Sequence, residues 1–199
     1  MKINQLAQYL DWIAKFAYLN ILWLGFTFLG IGIFGFFPAT MTCFIMLKGF
    51  VIEGETEWTV KQFLVAIKSV FRSNGIGSIC SLIIGSLVVN LQLVLTSEEP
   101  LFIGLRIPIL LTIIGTIFML VYVFPISVYG KRSLYQTFFS ACCFALAFPV
   151  QTAKVLIFLI LIAGIGFLFP MFLLFFSGSV SMYLVLKNYV LLQAKIEQQ

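Results

Sequence analysis

Three glutamates at alternate positions, Glu53, Glu55 and Glu57, are the densest group of hard oxygen ligands in the chain. Such a cluster could hold a divalent cation, but the spacing is not that of a calcium loop, and loose pairing with nearby lysines is the simpler reading. Cys43, Cys80, Cys142 and Cys143 fall in apolar stretches, without a Cys-x-x-Cys spacing and without any His in the chain. They read as small buried hydrophobes, and the vicinal pair would point about 100° apart on a helix, which disfavours a bridge. The serines have neither His nor buried Lys to serve as a base, and no Asp or Glu falls inside an apolar run. Nucleophilic catalysis and proton-coupled transport therefore lack their usual groups. The expectation is no enzyme, no cofactor and no metal centre. Asn20, Asn90 and Gln92 read as amides that tie helices together within a membrane.

The elements that position these residues follow from composition. Of 199 residues 62% are hydrophobic and 10% charged, and the mean hydropathy is +1.13, far from the quarter charged that soluble domains carry. The apolar residues come in long unbroken runs, so the fold class is all-α, a polytopic transmembrane helix bundle, and not a barrel. The net charge of +5 is scattered beside the apolar runs as topology signals, not gathered in a stripe, so nucleic acid is not an expected partner.

A single membrane domain, 1–199, is expected. Residues 1–15 alternate apolar and polar faces at helical spacing and read as an interfacial helix, with Trp12 at headgroup depth. No signal peptide is evident in this stretch. Phe16 to Leu47 is 32 residues without a charge, about 48 Å as one helix and too long for a core of about 30 Å. A hairpin over 16–52, turning at Gly35 to Pro38, keeps the following lysines on the cytoplasmic side, with Lys48 snorkelling to the headgroups.

Thr59-x-x-Gln62 opens a helix over 58–72 with Val60, Phe63, Leu64, Ile67 and Phe71 on one face and Lys61, Lys68 and Arg72 on the other. Spans follow at 74–96, where Gly77, Ser81 and Gly85 form a small-residue stripe, and at 106–130, with Pro108 in its first turn and Pro125 near its end. Ser133-x-x-Gln136 opens a second interfacial helix over 133–148. Residues 150–192 hold two spans that turn between Phe169-Pro170 and Gly178. With six spans, eleven of the twelve basic residues lie inside, leaving Arg106 outside, and both termini are cytoplasmic; five spans would put the C-terminal lysines outside. A weak hint of internal duplication comes from the Phe-Pro pairs 37–38 and 124–125, each upstream of a capping box.

Asn20-x-x-Trp23, then Gly35-x-Phe37-Pro38-Ala39-Thr40, Lys48-Gly49-Phe50, and Phe63, Lys68, Phe71, Asn74 and Gly77 resemble the YesL-like bacterial membrane proteins, a domain of unknown function. The resemblance is dense from 20 to 77 and thins beyond. It departs from the commonest form at Gly49-Phe50, where an aromatic often directly follows the basic residue. It implies a multi-pass protein of the bacterial plasma membrane, associated with carbohydrate uptake, and no catalytic residues. The expected function is an accessory or interaction subunit beside an ABC-type importer permease; the alternative is a facilitative carrier or small channel. Besides the lipid bilayer, such a permease is the expected partner. The outer turn Gly35 to Thr40 and the basic face Lys61, Lys68 and Arg72 are the residues expected to matter most.

Overall fold

The computed structural model describes residues 2–30, 33–53, 58–73, 75–96, 100–130 and 133–198. Within them the chain forms eight helices and no strand. They are α1 (Lys2–Leu29), α2 (Ile33–Lys48, continued by a π-helical turn Gly49–Glu53), α3 (Val60–Ser73) and α4 (Ile76–Thr96). Then come α5 (Pro100–Tyr129), α6 (Leu134–Ala147), α7 (Pro149–Leu168) and α8 (Pro170–Glu197), the last interrupted by a π-helical turn at Leu173–Ser177. Six of these, α1, α2, α4, α5, α7 and α8, are long and apolar enough to cross a membrane.

The centre is α2. Over its membrane-length window 56% of residues are buried, against 11% for α4 and 17% for α5 and α7, so α2 is the helix around which the others gather. Phe37, Met41 and Phe44 at helical spacing are buried, with Ala39, Thr40, Thr42 and Cys43 between them, so residues 39–44 are enclosed all round while Phe36 stays exposed. One core cluster joins Phe37 and Met41 to Tyr122, Ile126 and Tyr189; the other joins Phe44 and Leu47 to Leu19, Phe63 and Leu186. Phe124 bridges the two by stacking on Phe37 (6.2 Å between centroids) and on Phe44 (5.9 Å).

Several boundaries differ from the sequence expectation. Residues 1–15 are not a separate helix, because α1 continues through them without a break from Lys2. The hairpin does not turn at Gly35 to Thr40. α1 ends at Leu29, α2 has begun by Ile33, and Pro38 lies inside α2. The two glycines explain the shift. A Cβ on Gly30 would lie 2.3 Å from the Gly35 Cα, and one on Gly35 would lie 2.6 Å from the carbonyl oxygens of Phe26 and Thr27. Gly35 is thus the contact that lets α2 start against α1, not the bend itself. α5 begins at Pro100, so Pro108 is an interior proline and not a first-turn one. The duplication hint also fails, since Pro38 sits near the start of its helix and Pro125 near the end of its own.

The helix α3 buries Phe63, Ile67 and Val70 against the bundle, with the Phe63 ring stacked 5.0 Å from Phe26. Val60, Leu64 and Phe71, expected on the same face, are exposed. At about 100° per residue they lie about 60–100° further round the helix than Phe63, on the flank of the buried arc. Phe63 and Ile67, two of the five residues expected to meet lipid or a partner, are therefore used within the chain, and the other three stay exposed. At the start of α3, Gln62 Oε1 accepts from the Thr59 N–H (3.0 Å) and from the Thr59 hydroxyl (2.9 Å), half of the expected capping box. At α6 the box is complete between Ser133 and Gln136. There Thr137, Ala141 and Ala145 recur every four residues and are buried, where α6 packs on α5.

Candidate functional site

α1 carries two of the sequence-marked residues one turn apart, and both reach the broken part of α8. Asn20 has no exposed surface. Its Nδ2 donates to the carbonyls of Leu173 (3.1 Å) and Leu174 (2.7 Å), and its Oδ1 accepts from the Ser179 N–H (2.9 Å). A π-helical turn displaces backbone groups from their ordinary partners, and within a membrane none can turn to water. One amide side chain supplies the replacements on both sides of the turn.

Trp23 fixes the same junction from the other side. Its indole N–H donates to Thr40 Oγ1 (3.0 Å), tying α1 to α2. Its ring lies over Gly178, where a Cβ would come within 2.6 Å of the ring and 2.8 Å of Asn20 Oδ1. Only glycine fits there. Asn20, Trp23, Thr40 and Gly178 thus form one clamp joining α1, α2 and α8. Beside it lies a cavity of about 390 Å³, walled by residues of α1, α2, α5, α7 and α8 that include Trp23, Thr40, Phe124, Ser177 and Ser181.

A second buried polar chain runs nearby: the Thr152 hydroxyl donates to Tyr122 Oη (3.1 Å), which donates to Asn188 Oδ1 (3.4 Å), linking α7, α5 and α8. Lys48 is tied into the fold and does not simply extend outward. Its Nζ donates to the Val128 carbonyl (3.3 Å), in the last turn of α5, and lies 5.5 Å from the centre of the Tyr129 ring. A cation there satisfies a carbonyl and the negative end of the helix dipole. Around this end Trp12, Phe16, Phe50, Trp58 and Tyr183 pack edge to face at 5.2–6.3 Å, the aromatic girdle of an interface.

The remaining marked residues are dispersed. Ala39 is fully buried, and Gly77 meets Phe37, where a Cβ would stand 3.0 Å from the Phe37 Cβ. Lys61 and Lys68 are exposed on the outer side of α3, and Phe71 is exposed beside them. Asn74, Glu55, Glu57 and the side chains of Arg72 and Glu53 lie outside the described residues. Cys43 and Cys80 are buried, whereas Cys142 and Cys143, expected to be buried, are exposed on α6, whose small residues take the inward face instead. Among the described residues no three His, Cys, Asp or Glu side chains come together as metal ligands. Sequence reasoning missed Gly30, Ser179 and the Tyr122 chain, and it took Phe169-Pro170 to Gly178 as the turn between the last two spans, whereas α8 is already helical from Pro170. Pro170 and Gly178, eight residues apart, were the available signal that the last span is broken.

A family model described as "Protein of unknown function, DUF624" matches residues 16–91, the part that holds Asn20, Trp23, Thr40 and Lys48. An uncharacterised protein of Bacillus subtilis (strain 168), YteU, is 32% identical over 201 residues, covering 98% of this chain and 88% of the relative. The chain belongs to the DUF624 family. A second DUF624-type relative from the same organism, the uncharacterised protein YesL, is 27% identical over 182 residues, 88% of this chain and 83% of its own length. No solved structure matches. The clamp therefore lies partly within the matched segment, Asn20, Trp23 and Thr40, and partly beyond it, at Gly178 and Ser179.

Proposed function

We propose that this protein is a non-enzymatic subunit of the bacterial plasma membrane, both termini cytoplasmic, that works by packing against another membrane protein. A permease of an ABC-type carbohydrate importer is the partner that the family resemblance implies. The observation that carries this reading is a set of helix glycines without a neighbour. At Gly85 on α4 and Gly115 on α5 an added Cβ would meet nothing within 4 Å. Small residues in membrane helices let a second backbone approach closely. Beside Gly85, a groove of about 650 Å³ runs between α4 and the α1–α2 hairpin, floored by Ser81, Thr27 and Phe37. Meanwhile Asn20 is bonded to the α8 backbone and Tyr122 to Thr152 and Asn188, which suits a rigid scaffold.

Cross-linking in native membranes tests it: a permease subunit should be captured by the wild-type chain and lost when Gly85 and Gly115 are replaced by Leu. Capture unchanged by the double substitution would remove the proposed surface. The second reading, a facilitative carrier or channel, is favoured by the interruption of α8 beside a cavity. Purified protein in liposomes separates the two, since flux of small uncharged solutes without any partner belongs to a carrier alone.

A further inference from the structure

The open cavity beside the clamp is lined by two hydroxyls that, among the described residues, donate to nothing. Elsewhere in the spans, hydroxyls bond back to their own helix: Thr27 to the Trp23 carbonyl (2.7 Å), Thr42 to Pro38 (2.8 Å), Thr116 to Thr112 (2.8 Å). Such back-bonding is the default for Ser and Thr in an apolar setting. Thr40 accepts from Trp23 but, among the described residues, donates no hydrogen bond, although it is only 6% exposed. Ser181, on α8 across the same cavity, makes no hydrogen bond among the described residues. Thr40 thus keeps an unused donor and half-buried Ser181 an unused hydroxyl, and the two face one space where an acceptor on a ligand would be received by both.

The remaining walls decide what kind. Phe36, Phe44, Phe124, Leu159, Ile162 and Met182 make them apolar and aromatic, and no Lys, Arg, Asp or Glu lines the space. An ion would find no countercharge there. The volume of about 390 Å³ falls within the range of small-molecule sites. We propose that this cavity binds one neutral molecule whose apolar body carries a hydroxyl or carbonyl oxygen, the oxygen received by Thr40 and Ser181. The molecule could be lipid-derived or a free apolar solute; the chemistry that recognises it is the same. The site does not depend on whether the protein partners a permease.

Photolabelling of the purified full-length protein tests this with a diazirine-bearing C10 alkanol and the matching alkane. The alkanol is expected to label the segments around Phe44 and Met182 saturably, and the alkane only in proportion to its concentration. Ser181→Ala should weaken alkanol labelling about three- to tenfold, the loss of one hydrogen bond. Thr40→Val should do at least as much, and Thr116→Ala, outside the cavity, should change nothing. Competition by a short-chain diacylglycerol or by free n-hexanol supports the site, and the stronger competitor names the source. Equal labelling by alkane and alkanol, label spread over all lipid-facing helices, or labelling indifferent to both Ser181→Ala and Thr40→Val overturns it. Thermal unfolding of each variant identifies one that has merely lost its fold, and Ser181→Ala, which breaks no hydrogen bond among the described residues, then carries the result.

Discussion

The junction of α1, α2 and α8 and the pair formed by α4 and α5 are built from similar material and used in opposite ways. Both contain glycines in apolar helices. At the junction two glycines are met by a neighbour: Gly178 by the Trp23 ring, Gly35 by the backbone of α1. On α4 and α5, Gly85 and Gly115 face open space. The same contrast holds for polar groups. Asn20 bonds three backbone groups 153 to 159 residues away, whereas Asn90 on α4 bonds only its own helix, through the Ser86 carbonyl (2.7 Å). A glycine or an amide in a membrane helix therefore has no meaning of its own; what stands opposite decides whether it holds the fold or leaves a surface.

The sharpest way to break this contrast is to remove the amide. Asn20→Leu should cost about 3 kcal/mol, because it removes the amide's bonds to the Leu174 carbonyl and the Ser179 N–H where water cannot reach, and leaves the Leu173 carbonyl only the Ser177 hydroxyl. Unfolding in mixed micelles by SDS titration measures it, and Asn90→Leu in the same assay should cost less than about 0.5 kcal/mol. If both variants unfolded alike, the distinction between the two regions would be gone. Paired glycine substitutions come next. Gly178→Ala should destabilise by about 2 kcal/mol through overpacking against Trp23, and Gly85→Ala should lie within about 0.5 kcal/mol of wild type. Trp23→Phe, read by the same titration, should lose about 1 kcal/mol for the hydrogen bond to Thr40, with less loss in a Thr40→Val background. The smallest effect is expected at Lys48→Met, about 0.5–1 kcal/mol from the end of α5, together with faster amide exchange at the Ser127–Tyr129 turn.

The number of spans and the all-helical class were legible in the sequence because both depend on long apolar runs measured against a fixed bilayer thickness. The residues of the clamp were half legible. Asn20, Trp23 and Thr40 stood out as polar or aromatic residues in apolar helices, but the partners of Asn20 and the glycine against Trp23 lie beyond residue 170, and no spacing rule reaches that far. The hairpin turn was misplaced because Gly35 and Pro38 are strong punctuation locally. Proline can be carried inside a membrane helix, and a glycine can mark a contact as readily as a bend. The face of α3 was misjudged for a related reason. Its apolar arc is wider than one neighbour can cover, and only the packing of α2 decides that Phe63, Ile67 and Val70 form the covered part.

The reach of Asn20 across the chain also has a consequence for how the protein is made. Until residues 173–179 have entered the bilayer, the first helix holds an amide with none of its final hydrogen-bond partners. The earliest span synthesised is then among the last to be secured. A nascent chain halted before Pro170 should retain its hairpins yet leave α1 only loosely docked, exposed to membrane quality control until the final helix arrives.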